Sequence, residues 1–204
     1  MNYMNIYDVF EARKSVRKYL ETPVKKEKLM RLAEAAIIAP NAGNSQPWDF
    51  VFITDSELIA KFTEILQVVH GEYFGKARKD NQEKEQLEKT ISYYGRLIKA
   101  PVFVFACMNI RNQQLNKPYQ EWTTKWAHHS VSLAMGNLML AAAAEGLGTC
   151  WLGTPSWKAD DIKALLSIPD HVEIIAMSPI GYPDDNADRR PRLPIEEVIH
   201  FNGW

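Results

Sequence analysis

The chain has 204 residues, enough for one hydrophobic core and short for two domains. Apolar residues make up 46% and charged residues 24%, the balance of an ordinary folded domain and not of a disordered or fibrous chain. A formal net charge of -1 excludes the broad basic excess that a sequence-independent grip on nucleic acid needs, so clustered arginines must serve a smaller anion.

In chain order, residues 7–11 read as a short helix and 13–17 as a loop. Residues 24–39 set Leu29, Leu32, Ala33 and Ala36 at i, i+3, i+4 and i+7, one face of an amphipathic helix that Pro40 ends. Residues 48–54 are aromatic and β-branched and predict a strand. Asp55 or Ser56 then caps a helix over 57–69. Residues 70–82 carry glycines and mixed charge without a clear period and predict a loop. Residues 83–99 place Leu87, Ile91, Tyr94 and Ile98 on one helical stripe.

An apolar strand follows at 101–106, then a polar connection at 111–120 and a long buried helix at 122–144. Residues 147–152 predict a short strand, 158–166 a helix, and 172–180 a strand that ends at Gly181, Tyr182 and Pro183. The tail from 184 to 192 is polar. The pattern is a single helix-rich α+β domain over residues 1–204, with about four central strands and no regular βαβ alternation. Residues 138–144 are wholly apolar, but Asn137, Glu145 and three glycines interrupt the stretch 131–152. A membrane span needs about 20 apolar residues, so a buried helix is the reading and no membrane partner is expected. Cys107 and Cys150, the only two cysteines, sit in apolar runs and read as inert core thiols. The first residues lack the apolar core of a secretory signal, which gives a cytoplasmic expectation.

Three separated segments carry chemistry. Arg13, Ser15 and Arg17 lie at alternate positions, so in extended backbone their side chains share one side and can grip one anion. Arg190 and Arg192 repeat that spacing between the stiff Pro191 and Pro194. Guanidinium forks at both ends of the chain suit a phosphate, which they meet with charge-assisted, often bidentate contacts. Between them, the loop from Pro40 to Trp48 offers the amide edges of Asn41 and Asn44, and Gly43 permits positive φ and close approach of backbone to a ligand. Each segment also has a plain structural reading: a solvated basic turn, a charged tail, an ordinary helix-to-strand turn.

Taken together, Arg-x-Ser-x-Arg at 13–17, Ala-Pro-x-Ala-Gly-Asn-x-Gln-Pro-Trp at 39–48, Gly-Leu-Gly-Thr-Cys-Trp at 146–151 and Arg-x-Arg-x-Pro at 190–194 resemble, in their order, the FMN-dependent nitroreductases. The resemblance spans almost the whole chain, and four motifs in order are far less common by chance than any one. It implies a central, mainly antiparallel sheet of about four to five strands wrapped by helices, in an obligate homodimer with the active site at the dimer interface. It implies an oxidoreductase that takes a hydride from NADH or NADPH onto FMN and reduces a small electron-poor acceptor, a nitroaromatic, quinone or similar, by a ping-pong mechanism.

Carried over residue by residue, the resemblance assigns cofactor contacts to Arg13, Lys14, Ser15, Arg17, Arg190 and Arg192. It adds Pro40, Asn41, Ala42 and Asn44, in a loop that reaches across the dimer to the partner's flavin. Trp151, Leu152, Gly153 and Thr154 fall on a turn against the isoalloxazine, where a backbone N–H faces N5. Gly153 departs from the pattern, since many members carry an acid there. Arg189 matches no family position, and Ser130 falls near one where relatives carry an amide or acid. FMN supplies the bond chemistry in this reading, so no catalytic acid, base or metal is expected from the protein. His128 and His129 are adjacent and point about 100° apart on a helix, which suits solvent or interface histidines. Two rivals remain open: a flavin-binding or flavin-modifying member of the fold without this turnover, and a metal-dependent hydrolase built on His128, His129 and Asp160 or Asp161.

Overall fold

A computed structural model describes residues 5–77, 99–111, 120–153, 158–184 and 189–204. Among these residues, five α-helices surround a sheet of four strands. The helices are α1 (Ile6–Ala12), α2 (Lys26–Ile37), α3 (Ser56–Ala77), α4 (Gln120–Ala144) and α5 (Ala159–Leu166). The strands are β1 (Trp48–Ile53), β2 (Val102–Met108), β3 (Gly148–Thr149) and β4 (Glu173–Gly181), in the order β1-β2-β4-β3 with every pairing antiparallel.

The apolar run of β2 decides the architecture. Its seven residues are all buried, and their alternation divides them between two cores. Val102, Val104, Ala106 and Met108 pack on one side with Leu29, Leu32 and Ala36 of α2 and with Val131, Met135 and Leu138 of α4. Phe103, Phe105 and Cys107 pack on the other with Phe62 and Leu66 of α3 and Ile162 of α5. Phe62 sits edge-on to both Phe103 and Phe105, with ring centroids 5.1 and 5.0 Å away, a geometry that aromatic quadrupoles favour. The result is a sheet sandwiched between two helix pairs.

Two expected elements differ. The loop expected at 70–82 is helical as far as Ala77, because α3 continues through it and residues 78–82 lie outside the described residues. A glycine within a helix costs only about 1 kcal/mol, which does not by itself stop a helix already propagating from Ser56. The strand expected at 147–152 forms a ladder only at Gly148–Thr149. At Cys150 the N–H turns to the Ser178 hydroxyl (3.0 Å), which interrupts the ladder, and Leu152 then rejoins β4 by two 2.9 Å hydrogen bonds with Met177. The helix expected over 83–99 falls, but for its last residue, outside the described residues, as do positions 112–119 of the polar connection. No helix among the described residues is long and apolar enough to cross a membrane.

Candidate functional site

The first basic segment is placed by a helix start and a strand edge. Asn5 caps α1 by accepting hydrogen bonds from the N–H groups of Tyr7 (2.9 Å) and Asp8 (3.1 Å), and the Asp8 carboxylate accepts from the Asn5 N–H. Arg13 leaves the helix in extended backbone, φ -68° and ψ 116°. The Val16 N–H then donates to Thr149 O (2.9 Å), and Leu20 and Asp184 tie the same arm to the chain around Tyr182. Val16 is buried over β3, so close that a Cβ on Gly148 would lie 2.6 Å from the Val16 Cβ. Only glycine admits the arm at this position. With Val16 turned inward, the neighbouring Ser15 and Arg17 border a cleft on the other side of the arm.

That cleft, about 90 Å³, is bordered by Arg13, Lys14, Ser15 and Arg17 from the start of the chain and by Arg190 and Arg192 from its end. Arg189, which sequence reasoning left out, borders it too. Its guanidinium donates to the carbonyls of Phe10, Glu11 (2.7 Å) and Arg13 (3.2 Å), satisfying acceptors that the C-terminal end of α1 leaves open. Thus the tail is stapled to the helix that delivers Arg13. Arg17 and Arg192 each hydrogen-bond a nearby carbonyl, Ser15 O and Arg190 O, both at 3.1 Å.

Among the described residues no carboxylate lines the cleft, and Glu11 Oε2 lies 3.9 Å from Arg189 Nη1. Partial burial, then the neighbouring charges of Arg189 and Arg192, hold the Arg13 guanidinium below its ordinary value. An array of like charges that disfavour one another is relieved by a bound anion, and the volume is of phosphate scale and too small for a tricyclic ring. Beneath it, burial pushes the Cys150 thiol up, against the opposing pull of Arg17, a hydrogen bond with Ser15, and Arg13. Cys107 is pushed up to about 12, first by burial and then by Asp49. Both cysteines are buried and free of disulfide.

The loop after α2 lies beside a second cleft. Gly43 (φ 58°), Asn44 (φ 51°) and Gln46 (φ 46°) take the left-handed region, and the loop's polar groups largely serve one another. Asn41 Oδ1 accepts from the Gln46 N–H (2.9 Å), and Gln46 Nε2 donates to Asn44 Oδ1 (3.3 Å). Ser130, buried in α4, donates to Trp126 O (2.7 Å) and accepts from the Ala42 N–H (3.3 Å). Ser130 therefore fixes the loop. The second cleft, about 410 Å³, runs between Ala42, Gly43 and Ser45 on this side and Thr123 and Trp126 of α4 on the other, with Arg111 at its edge.

Within one chain the sequence-assigned residues therefore form two groups. Arg13, Lys14, Ser15, Arg17, Arg190 and Arg192 share one cleft; Ala42 borders another, with Pro40, Asn41 and Asn44 in its loop, and the two clefts have no residue in common. Trp151 is half-exposed just past Cys150, Leu152 has its N–H committed to Met177 O, Gly153 ends the described segment, and Thr154 lies outside the described residues. His128 faces Glu173 at 3.4 Å, and among the described residues no three His, Cys, Asp or Glu side chains gather as a metal site would require.

Residues 10–182 match the family model described as the Nitroreductase family. An iodotyrosine deiodinase of Thermotoga neapolitana is 26% identical over 195 residues, covering 95% of each chain. An NADH dehydrogenase of Thermus thermophilus is 28% identical over 197 residues, covering 92% of this chain and 91% of its own. The crystal structure of a BluB-like flavoprotein from Clostridium difficile superposes with a TM-score of 0.80 at 27% identity, covering 97% of this chain and 99% of the other. With the antiparallel sheet, its helical layers and a family match across most of its length, the chain belongs to the nitroreductase family.

Proposed function

We propose that this protein is an FMN-dependent oxidoreductase that takes a hydride from NADH or NADPH and reduces a small electron-poor acceptor in two half-reactions. The observation that carries the reading is the basic cleft, where Arg13 and Arg17 meet Arg190 and Arg192 with no carboxylate among the described lining residues. Its residues fit a phosphomonoester: Arg13, Arg17, Arg190 and Arg192 supply forked donors, Ser15 a hydroxyl and Lys14 a further positive charge. The names of relatives, a flavoprotein and an NADH dehydrogenase, agree with that chemistry. When bound, FMN supplies the hydride-accepting ring; the chain holds the phosphate, orients the ring with backbone at 151–153, and covers it with the loop after α2.

A second copy of the chain completes the site in this reading. Among the described residues the two clefts share no wall within one chain, and in this reading the loop of a second copy is what brings them together over one flavin. Exposed apolar side chains support an interface: Ile6, Tyr7 and Phe10 on α1, and Ile199, Phe201 and Trp204 in the tail, with Phe201 87% exposed. Monomeric soluble proteins rarely leave so much apolar surface in water. The distinguishing experiment is an absorbance spectrum of the purified protein before and after anaerobic NADH or NADPH, and after an acceptor such as a nitroaromatic or quinone. A yellow protein that bleaches and recovers is expected. A yellow protein that never bleaches is instead a non-turnover flavin binder, and a colourless one that takes up no added FMN overturns the assignment of the basic cleft.

A further inference from the structure

We propose that the cleft between the loop after α2 and helix α4 selects a planar aromatic acceptor bearing an anionic substituent, with Arg111 as the residue that sets this preference. That the ligand is an acceptor rests on the oxidoreductase reading; its charge and shape rest on the cleft alone.

Among the described residues of the cleft's wall, Arg111 is the only charged one, with neutral neighbours that include Thr123 and Trp126. It is also held in place. Asn109 donates its N–H to Pro47 O (2.9 Å), and the Arg111 N–H donates to Asn109 O (3.0 Å), which stitches the end of β2 to the loop. The Asp49 carboxylate accepts from Asn109 Nδ2 (2.8 Å) on one oxygen and from the Arg111 guanidinium on the other. Asp49 is not among the described lining residues, and its contact with the Arg111 guanidinium anchors one edge of the fork. A planar fork has five N–H donors, and one anchored edge leaves others for a ligand carboxylate. A tethered cation loses less freedom on binding than a mobile one.

The aromatic half of the recognition comes from α4. Trp122 already has the Lys125 ammonium over its ring at 4.9 Å, whereas Trp126, 46% exposed, lies in the cleft wall. Its indole gives a flat apolar surface for a ring, and the Thr123 hydroxyl lies one helical turn away. At about 410 Å³ the cleft accommodates a substituted single ring.

The test uses FMN-loaded protein and compares benzoate with benzamide, which match in shape and differ in charge. Calorimetry is expected to show benzoate binding at least about tenfold more tightly than benzamide, the scale of one charge-assisted contact. Arg111→Gln should remove that preference and leave benzamide within about twofold, while Arg111→Lys should retain most of it. In turnover with NADH, Arg111→Gln should raise the KM for 4-nitrobenzoate about tenfold, with kcat and 4-nitrobenzamide reduction little changed. Equal binding of the two probes, an equal loss of both in Arg111→Gln, or benzoate binding lost in Arg192→Gln but kept in Arg111→Gln each overturn the proposal. Flavin that NADH does not bleach sinks the oxidoreductase reading instead, and the calorimetric comparison still decides this one.

Discussion

The two clefts solve opposite electrostatic problems. In the basic cleft, Arg13 is partly buried among Arg189 and Arg192, and no carboxylate is among the described lining residues, with Glu11 at 3.9 Å from Arg189. In the cleft beside α4, one guanidinium is balanced by Asp49, the loop's amides bond to each other, and Ser130 fixes the backbone. The first arrangement gathers like charges with no carboxylate among its described lining residues; the second anchors one edge of its guanidinium on Asp49 and leaves the other N–H donors for a ligand. In the proposed reading, this contrast separates a site for a resident group from a site for molecules that leave again. It also locates the fold's own investment: the basic arm is held by main-chain pairing to β3 and the Arg189 staple.

The contrast can be broken most severely at Gly148. Gly148→Val puts side-chain atoms where Val16 already stands, with the Cβ alone 2.6 Å from the Val16 Cβ. The arm must then leave β3, taking Arg13, Ser15 and Arg17 with it. FMN binding, followed by flavin fluorescence, should weaken by more than the loss of any single arginine, and the melting temperature should fall with an overpacking cost of about 1–3 kcal/mol. Retained FMN affinity in a folded variant would separate the arm's pairing from the anion site. Next in size is Arg17→Ala, which removes one charge-assisted contact worth about 1.5–3 kcal/mol, so FMN should bind at least about tenfold more weakly. Benzoate binding in the cleft beside α4 should not change. Unaltered FMN affinity in this variant would mean that Arg17 does not touch the phosphate.

How much of this was legible in the sequence depends on whether a feature is local. The helical stripe of Leu29, Leu32 and Ala36 and the apolar run of β2 carry their own periodicity, and both appear where expected, packed on one another. The convergence of the two chain ends was read from like spacing of arginines and a family resemblance, and Arg13, Arg17, Arg190 and Arg192 do share a cleft. Arg189 was missed because its role depends on the carbonyl groups of a helix end far away in sequence, which no local pattern reports. Ser130 falls near a family position that carries an amide or acid, and its hydroxyl joins Trp126 to Ala42, a link no local pattern reports. The shortened β3 has a similar cause, since one serine on β4 captures the Cys150 N–H and only the tertiary structure shows it. Arg111 and Asp49 lie 62 residues apart, and only the sheet register, which sets Asp49 opposite Cys107, brings them together.

The smallest expected effect sharpens the comparison by perturbing the frame of the cleft beside α4 alone. Helix α2, which leads into the loop, is clamped to the end of α4 by Glu145, whose carboxylate accepts from Arg31 Nε (2.5 Å) and Nη2 (2.9 Å) and lies 3.4 Å from Lys28 Nζ. The Arg31 hydrogen bonds, against some cost of burial, and then the charges of Arg31 and Lys28 hold the Glu145 carboxyl below its ordinary value. Because the folded-state value is depressed, the stabilisation is fully present above the unfolded value, about 4.3, and is lost as pH falls through the folded value. Wild-type protein should therefore lose melting temperature more steeply than Glu145→Gln below about pH 4.3, and the two curves should converge in acid. The pair is solvent-exposed, so the difference should be small and should shrink in high salt. FMN affinity at neutral pH should be the same in both proteins, since Glu145 has no part in the basic cleft; a shared loss of FMN would show that the two clefts are mechanically coupled through α2 and α4.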